Sequence, residues 1–238
     1  MAAPYGLEAS RNCEECPLKG DGFFCNLPQS TLKALDAVRL TNRYPEGAIL
    51  FVEQEAPRGV FVLCKGRIKL SMTSSEGKTV ILRILQPGEV LGLHAVVSGR
   101  PYEATATTLE PCQVNFVRRE DFRRFLSQQA EAMLRAVEQL SNSYEAACTQ
   151  IRSLGLAHSA SEKLARFLLQ SSAAEDQTNQ GSRVRMTMTH EEIGQAIGTS
   201  RETVTRTFAE FKKNHLVAVH GSIITIPNRA TLATLADP

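Results

Sequence analysis

The chain lacks any long hydrophobic run: its longest unbroken stretches, such as Val60 to Cys64, are five residues. A membrane-spanning helix needs roughly 18 or more, so neither a span nor a membrane partner is expected. It also lacks a basic N-terminal region followed by an apolar stretch; MAAPYGLEASRNC does not read as a secretory signal. The expectation is a cytoplasmic protein, in a compartment where thiols stay reduced. No charge excess is present either. Lys plus Arg is 27 and Asp plus Glu is 25, leaving +2, which is compatible with nucleic acid without implying it. Common signatures of enzyme chemistry are missing as well: there is no GxxxxGKS/T phosphate loop, no HExxH and no GxSxG. His190-Glu191-Glu192 has acid–base residue types but stands where a helix cap is needed, so an enzyme is not expected. What the chain does have is 42% hydrophobic residues in a length of 238. That is enough for a core, and for one large domain or two small ones.

Four regions follow one another without repeats. Residues 1–27 hold three of the six cysteines. Residues 28–43 read as a short helix with Leu32, Leu35 and Val38 on one side. Residues 44–117 hold short β-branched runs, such as Ile49-Leu50-Phe51-Val52 and Val80-Ile81-Leu82-Arg83-Ile84, punctuated by Gly47, Gly59, Gly66, Gly77, Gly88 and Gly99. Many short strands with glycine-marked turns point to an antiparallel roll, sandwich or barrel.

The period then changes. Leu126, Ala130, Met133, Val137, Leu140, Tyr144, Ala147, Ile151 and Leu154 recur at alternating spacings of four and three, a 3.5-residue repeat over 29 residues with no Pro or Gly until Gly155. A seam of that period calls for a partner helix, most simply in a left-handed coiled coil. The alternative is one helix packed along its own domain. Ser159-x-x-Glu162 can cap a helix through Leu169, and the polar stretch Ser171 to Arg185 reads as a loop.

Thr189-His190-Glu191-Glu192 fits a capping box that opens a helix with Ile193, Ala196 and Ile197 on its apolar face, and Gly198 ends it. Thr199-x-x-Glu202 offers a second box. The following helix buries Val204, Phe208 and Phe211 and turns Arg201, Glu202, Thr205 and Arg206 to solvent. Two short helices joined by a tight turn with glycine form a helix-turn-helix, whose second helix enters the DNA major groove. Arg donates two hydrogen bonds to guanine O6 and N7, and Glu accepts from cytosine N4. A solvated face is the bland alternative. Lys212-Lys213 can meet phosphate or oppose the helix dipole. Residues 216–226 read as a hairpin wing with His220 at its tip.

The stretch MTMTHEEIGQAIGTSRETVTRTFAEFKKNHLVAVHGSIITI, with TSRETVTR its most specific part, resembles the DNA-binding domain of the Crp/Fnr superfamily of bacterial transcription regulators. YPEGAILFVEQEAPRGVFVLCKGRIKL and PGEVLGLHAV are similar to that family's effector domain. The resemblance implies an α+β fold: an antiparallel β-roll of cupin-like jelly-roll type over 28–118 after the cysteine segment 1–27, a dimerisation helix over 119–155, and a winged helix-turn-helix over 156–238. It implies a homodimer joined through Leu126, Met133, Val137, Leu140, Tyr144 and Ile151, on a palindromic operator in double-stranded DNA, with RNA polymerase as a further partner. Arg201, Glu202, Thr205 and Arg206 would read bases. Thr189, Ser200, Thr203 and His220 would hold the phosphate backbone. Arg201 and Glu202 look like the cyclic-AMP receptor type, which favours a TGTGA-like half-site.

Relatives that bind cyclic nucleotides hold the phosphate with an Arg-Ser pair. Tyr102-Glu103 stands in that place here, with Arg100 two residues early. A carboxylate repels phosphate and cannot replace a bidentate guanidinium, so cyclic AMP is not the expected effector. The cysteines offer another signal. Cys13-x-x-Cys16, Cys25 and Cys112 supply four thiolates, which suit an iron–sulfur cluster or tetrahedral zinc, with a thiol redox switch as a third reading and no ligand role as a fourth. The Fnr branch of the family holds an oxygen-labile 4Fe–4S cluster with three N-terminal cysteines and one in the roll, which implies the same four residues here and an oxygen or redox signal. Two departures stand out: the third spacing is longer, and Asn115, three residues past Cys112, aligns with the fourth ligand. Three residues along a strand reverse the side faced, and Pro111 offers the bend that ligation by Cys112 requires. Cys64 reads as core, and Cys148 as packing beside the seam.

Overall fold

The computed structural model describes residues 4–7, 12–13, 16, 24–156, 159–172, 177–178, 181–186 and 188–236. The chain forms two compact units, 1–146 and 147–238.

In the first unit, a short 3-10 turn (Pro4–Gly6) precedes helix α1 (Gln29–Asp36), which buries Leu32 and Leu35. The helix expected to run to residue 43 ends at Asp36, and Arg39–Tyr44 is strand β1 instead. Arg39 to Tyr44 offers no apolar helical stripe, and its backbone pairs in unbroken antiparallel register with the last strand of the roll, from Arg39 opposite Val117 to Tyr44 opposite Cys112. The further strands are β2 (Ile49–Phe51), β3 (Gly59–Lys65), β4 (Ile68–Thr73), β5 (Thr79–Leu85) and β6 (Val90–Leu91). After the short helix α2 (Leu93–Ser98) come β7 (Thr105–Thr108) and β8 (Cys112–Arg118). They make two antiparallel four-stranded sheets, ordered β1-β8-β3-β6 and β2-β7-β4-β5.

Strand β3 explains the long apolar run around Val60, because it is buried on both faces. Phe61 and Leu63 join a core shared with the second sheet, together with Phe51, Ile68, Leu85, Cys112 and Val114. Val60 and Val62 point the other way, into a core with Phe24, Leu32, Leu35, Val117 and Phe122. Side chains alternate along a strand, so the parity of each residue number decides which core it enters.

The long helix is not continuous. Helix α3 (Arg119–Gln128) and helix α4 (Ala130–Leu156) are separated at Gln129, which has extended backbone (φ −123°, ψ 92°). The break follows the packing: Phe122, Phe125 and Leu126 of α3 are held in the first core, and the Thr31 hydroxyl donates to Gln129 Oε1 at 3.1 Å. Leu126 is 4% exposed and so is a core residue rather than part of an open seam. The apolar stripe left on α4 starts after the break: Met133, Val137, Tyr144 and Ile151 are exposed, with Leu134 beside them, while Leu140 packs partly against the first core.

The second unit contains α5 (Ala160–Ser172), β9 (Gln177–Thr178), β10 (Gly181–Arg185), α6 (His190–Ile197), α7 (Arg201–Lys213), β11 (Ala218–His220), β12 (Ile223–Ile226) and α8 (Arg229–Ala236). Ser159 caps α5, its hydroxyl accepting from the Glu162 amide at 3.0 Å. The stretch read as a loop carries β9 and β10, and β10 pairs with β12 from Ser182 opposite Ile226 to Arg185 opposite Ile223. This extends the expected hairpin of β11 and β12 to a four-stranded sheet. Leu164, Leu168, Ile193, Ile197, Val204, Phe208 and Phe211 share one core with Ile224 and Ile226.

The turn between α6 and α7 is tight. Gly198 takes the left-handed conformation (φ 66°), and the Thr199 amide donates to Gly194 O at 2.9 Å. A Cβ on Gly194 would lie 2.8 Å from the Thr199 carbonyl oxygen, a backbone atom with little room to give. Gly194→Val is therefore expected to destabilise the second unit by about 1–3 kcal/mol through overpacking, read by denaturant unfolding; an unchanged midpoint would mean the turn is looser than described.

Candidate functional site

Helix α7 buries Val204, Thr207, Phe208 and Phe211 and leaves Arg201, Glu202, Thr205 and Arg206 exposed. Both helices have side-chain caps. At α6, the Thr189 hydroxyl accepts from the Glu192 amide at 3.2 Å while Glu192 Oε2 accepts from the Thr189 amide at 3.0 Å, a complete capping box. At α7 the cap is Ser200, one residue after the expected Thr199, and its oxygen accepts from the Thr203 amide at 3.2 Å. The helix starts at Arg201, so Ser200 and not Thr199 stands at the cap position. The Glu202 carboxyl is held below the usual range, first by hydrogen bonding to its own amide and then by Ser200, so this side chain is an acceptor at neutral pH.

Sequence reasoning missed the part played by His190. Its ring stacks on Phe208 (centroids 5.1 Å, 8° between planes), and Nδ1 lies 2.8 Å from Thr205 Oγ1. The Thr205 hydroxyl donates to the Arg201 carbonyl at 2.9 Å, so the imidazole is the donor in the pair. Burial, then the positive charges of Lys212 and Arg201, lower the pKa of His190 and favour its neutral form. His190 thus braces α7 from the side, and Thr205 keeps its methyl group and one lone pair free of these contacts. The cue was its place fifteen residues before Thr205, across one helix-turn-helix. His220 is exposed at the end of β11, and Lys212 and Lys213 are exposed at the end of α7.

The first unit holds a second feature. One cavity of about 20 Å³, the room of one water molecule, is lined by Cys13, Cys16, Cys25 and Cys64, with Arg39 and Asn115 among the polar side chains around it. All six cysteines of the chain are thiols. The wall is organised by Arg39, which pairs with Asp36 and donates to Asn115 Oδ1 at 2.9 Å. Asp36 in turn accepts from the Cys13 amide at 3.0 Å. Burial raises Asp36, but the hydrogen bonds from Arg39 and Cys13 outweigh it and leave this carboxyl below its ordinary range. Burial, then the neighbouring Asp36, pushes the Cys13 thiol far up. Burial, then Cys25 and Cys16, pushes Cys64 up to about 12. Among the described residues, no three His, Cys, Asp or Glu side chains close on one point in the manner of a single-ion site.

Three of the four cysteines expected to act together, Cys13, Cys16 and Cys25, do share this cavity. Cys112 does not join them. It begins β8 on the face that enters the core between the sheets, fully buried, with Sγ 3.1 Å from Glu110 O and 3.4 Å from Arg67 O. Pro111 does not turn it round. A Cβ on Gly66 would come within 2.5 Å of that sulfur, so the thiol is packed under the turn between β3 and β4.

Tyr102, in the place of the phosphate-holding pair, is fully buried. It stacks on Phe51 (4.0 Å, 19°), donates to Gly59 O at 2.7 Å and accepts from the Arg58 and Gly59 amides at 3.1 and 3.2 Å. The position is core.

Comparison with known proteins accounts for both units. Residues 41–129 match the cyclic nucleotide-binding domain family, and residues 162–235 match the Crp-like helix-turn-helix domain family. The chain is 24% identical over 217 residues to the CRP-like cAMP-activated global transcriptional regulator of Mycobacterium tuberculosis, covering 90% of this chain and 96% of that protein. Its fold is similar to that of FixK2 from Bradyrhizobium japonicum (TM-score 0.75, 21% identity, 84% of this chain and 98% of that one). It is also similar to the c-di-GMP responsive global regulator CLP from Xanthomonas campestris (TM-score 0.70, 18% identity, 84% and 100%).

Proposed function

The chain belongs to the Crp/Fnr family of transcription regulators, and from that premise we propose that it binds a palindromic operator with TGTGA-like half-sites as a homodimer, under redox control through a cluster held by its N-terminal cysteines. The observation that carries the DNA reading is the exposed face of α7, where two guanidinium groups and one carboxylate lie beside a capped helix start. Arg201 and Arg206 supply paired donors for guanine edges, and Glu202 an acceptor for cytosine N4. Thr189, Ser200 and Thr203 at the starts of α6 and α7, and His220 at the end of β11, serve the phosphate backbone, which fixes register without reading sequence. Tyr144 and Ile151 are 74% and 70% exposed on α4, an apolar stripe that a second copy of the helix would cover. Recruitment of RNA polymerase is the partner step that this reading implies.

The redox reading rests on Cys13, Cys16 and Cys25 around one cavity. Soft thiolates are the donor set of iron–sulfur clusters, and the cavity's guanidinium offsets negative charge. When bound, the cluster supplies a centre that oxygen destroys. The chain's own residues then carry the message. Phe24 and Leu35 line the cavity and belong to the core that also holds Phe122, Phe125 and Ala136, so a shift of the cysteine segment is felt at α3 and at the start of α4. That contiguous packing is a route from sensor to dimer seam.

A roll that answers to a small ligand is the second reading, supported by the match of residues 41–129 to a cyclic nucleotide-binding domain and by cAMP-activated and c-di-GMP responsive relatives. The buried Tyr102 counts against a cyclic nucleotide in the usual place. The deciding experiment purifies the chain without oxygen and measures iron, sulfide and operator affinity before and after air, with and without cyclic AMP. The expected result is bound iron and sulfide, an affinity that air changes at least tenfold, and no response to cyclic AMP. Iron-free protein that retains its operator equally in both gases would overturn redox control.

A further inference from the structure

We propose that Cys64, not Cys112, supplies the fourth thiolate of the iron–sulfur cluster held by Cys13, Cys16 and Cys25. The inference rests on the redox reading above and names a residue that the sequence pattern assigns to the core.

Parity is the first argument. Along β3, Cys64 follows Val60 and Val62, which enter the core shared with α1 and Cys13, whereas Phe61 and Leu63 enter the other core. Along β8, Asn115 and Val117 face the cysteine cavity's side, whereas Cys112 and Val114 face away from it. Ligation by Cys112 would require its sulfur to cross the sheet.

Register is the second. Val62 pairs with Asn115 across β3 and β8. Cys64 is the next residue on the cavity face of β3 and therefore lies beside the position of β8 where the family resemblance expects the ligand. The pairing shifts between Leu63 and Lys65, so Cys64 sits in a bulge. Asn115 itself is committed: its Oδ1 accepts from Arg39 at 2.9 Å and from the Thr41 hydroxyl at 2.8 Å. The ligand position has in effect moved to the neighbouring strand.

Charge is the third. Each thiol gives up its proton on ligation, and four thiolates leave the centre negative. Arg39, whose side chain is only 8% exposed, lines the cavity and is held by Asp36 and Asn115, so a fixed cation faces the site.

Cys64 lies on a paired strand and is the fixed anchor, whereas Cys13, Cys16 and Cys25 precede α1 and answer to the making or loss of the cluster. That difference converts loss of the cluster into a movement of Phe24 against Phe122, whose rings are 5.8 Å apart.

The test uses the full chain, reconstituted without oxygen with ferrous iron and sulfide, as wild type, Cys64→Ala, Cys64→Ser and Cys112→Ala. Iron, acid-labile sulfide and visible absorption are measured, with thermal unfolding of each metal-free form as the folding control. Wild type and Cys112→Ala are expected to hold equal iron and sulfide, and Cys64→Ala less than a tenth of that. Cys64→Ser, which keeps the size of the side chain, is expected to fold as wild type and to give a shifted absorption and a cluster lost several-fold faster in air. If Cys64→Ala and Cys64→Ser match wild type while Cys112→Ala is depleted, Cys64 is not the ligand and the cluster reading survives. If wild type holds neither iron nor sulfide, the redox reading fails and this assignment fails with it.

Discussion

The double substitution Val137→Glu with Tyr144→Glu is expected to leave the chain monomeric and to weaken binding to a palindromic duplex by about four to five orders of magnitude. The two residues lie seven apart on α4, on one side of the helix, and are 55% and 74% exposed. A heptad seam would bury both against their counterparts, and four carboxylates brought together in an apolar seam lose solvation without gaining partners. Neither substitution disturbs the core of the isolated chain, so folding is retained. The DNA effect follows from symmetry. Specific regulators bind with Kd of about 10⁻⁸ to 10⁻¹¹ M, or about 11–15 kcal/mol. A monomer engages one half-site and forfeits about half of this. Light scattering reads the mass, and gel retention the affinity. A variant that stays dimeric would move the interface elsewhere.

Tyr102→Ala is expected to destabilise the first unit by at least about 4 kcal/mol. Emptying a buried aromatic site costs about 3–5 kcal/mol, and the lost phenol leaves the Arg58 and Gly59 amides without this acceptor, at about 1–3 kcal/mol for each buried group left unpaired. Gly92 reinforces the argument: a Cβ there would sit 2.8 Å from the Tyr102 ring, so backbone closes on this side chain. Tyr102→Phe keeps the ring and its stack on Phe51, and should cost only about 1–3 kcal/mol. Denaturant unfolding separates the two variants. A cost below about 1 kcal/mol for Tyr102→Ala would mean that the ring fills no essential space and that the place is open to a nucleotide after all.

Much of this architecture was legible in the sequence where one physical signal dominated. The capping box at Thr189 and the four-and-three spacing of Val204, Phe208 and Phe211 define α6 and α7 and the exposed side of α7. The roll was legible from glycine-punctuated β-branched runs. The failures share a cause, which is that tertiary pairing overrode a local pattern. Arg39 to Tyr44 became strand because β8 offers a full ladder. The heptad count runs through Gln129 without a flaw, yet Leu126 belongs to a core that the local repeat does not encode. Cys64 was hidden by burial of β3 on both faces, which erases the alternation that reveals a side. The cavity it lines is assembled from segments far apart in the chain, which leaves no local signature. The opposite facing of Cys112 and Asn115, by contrast, follows from a three-residue offset on one strand.

The central claim is that α7 reads sequence with Arg201, Glu202 and Arg206. Competition binding tests it most directly, using a palindromic TGTGA-type duplex and a scrambled duplex of equal length, at one fixed salt concentration. Arg201→Ala and Arg206→Ala are each expected to cost about 1–3 kcal/mol on the palindrome, roughly 5- to 150-fold, and far less on the scrambled duplex, so that selectivity falls. An undiminished preference for the palindrome in both variants would contradict the account.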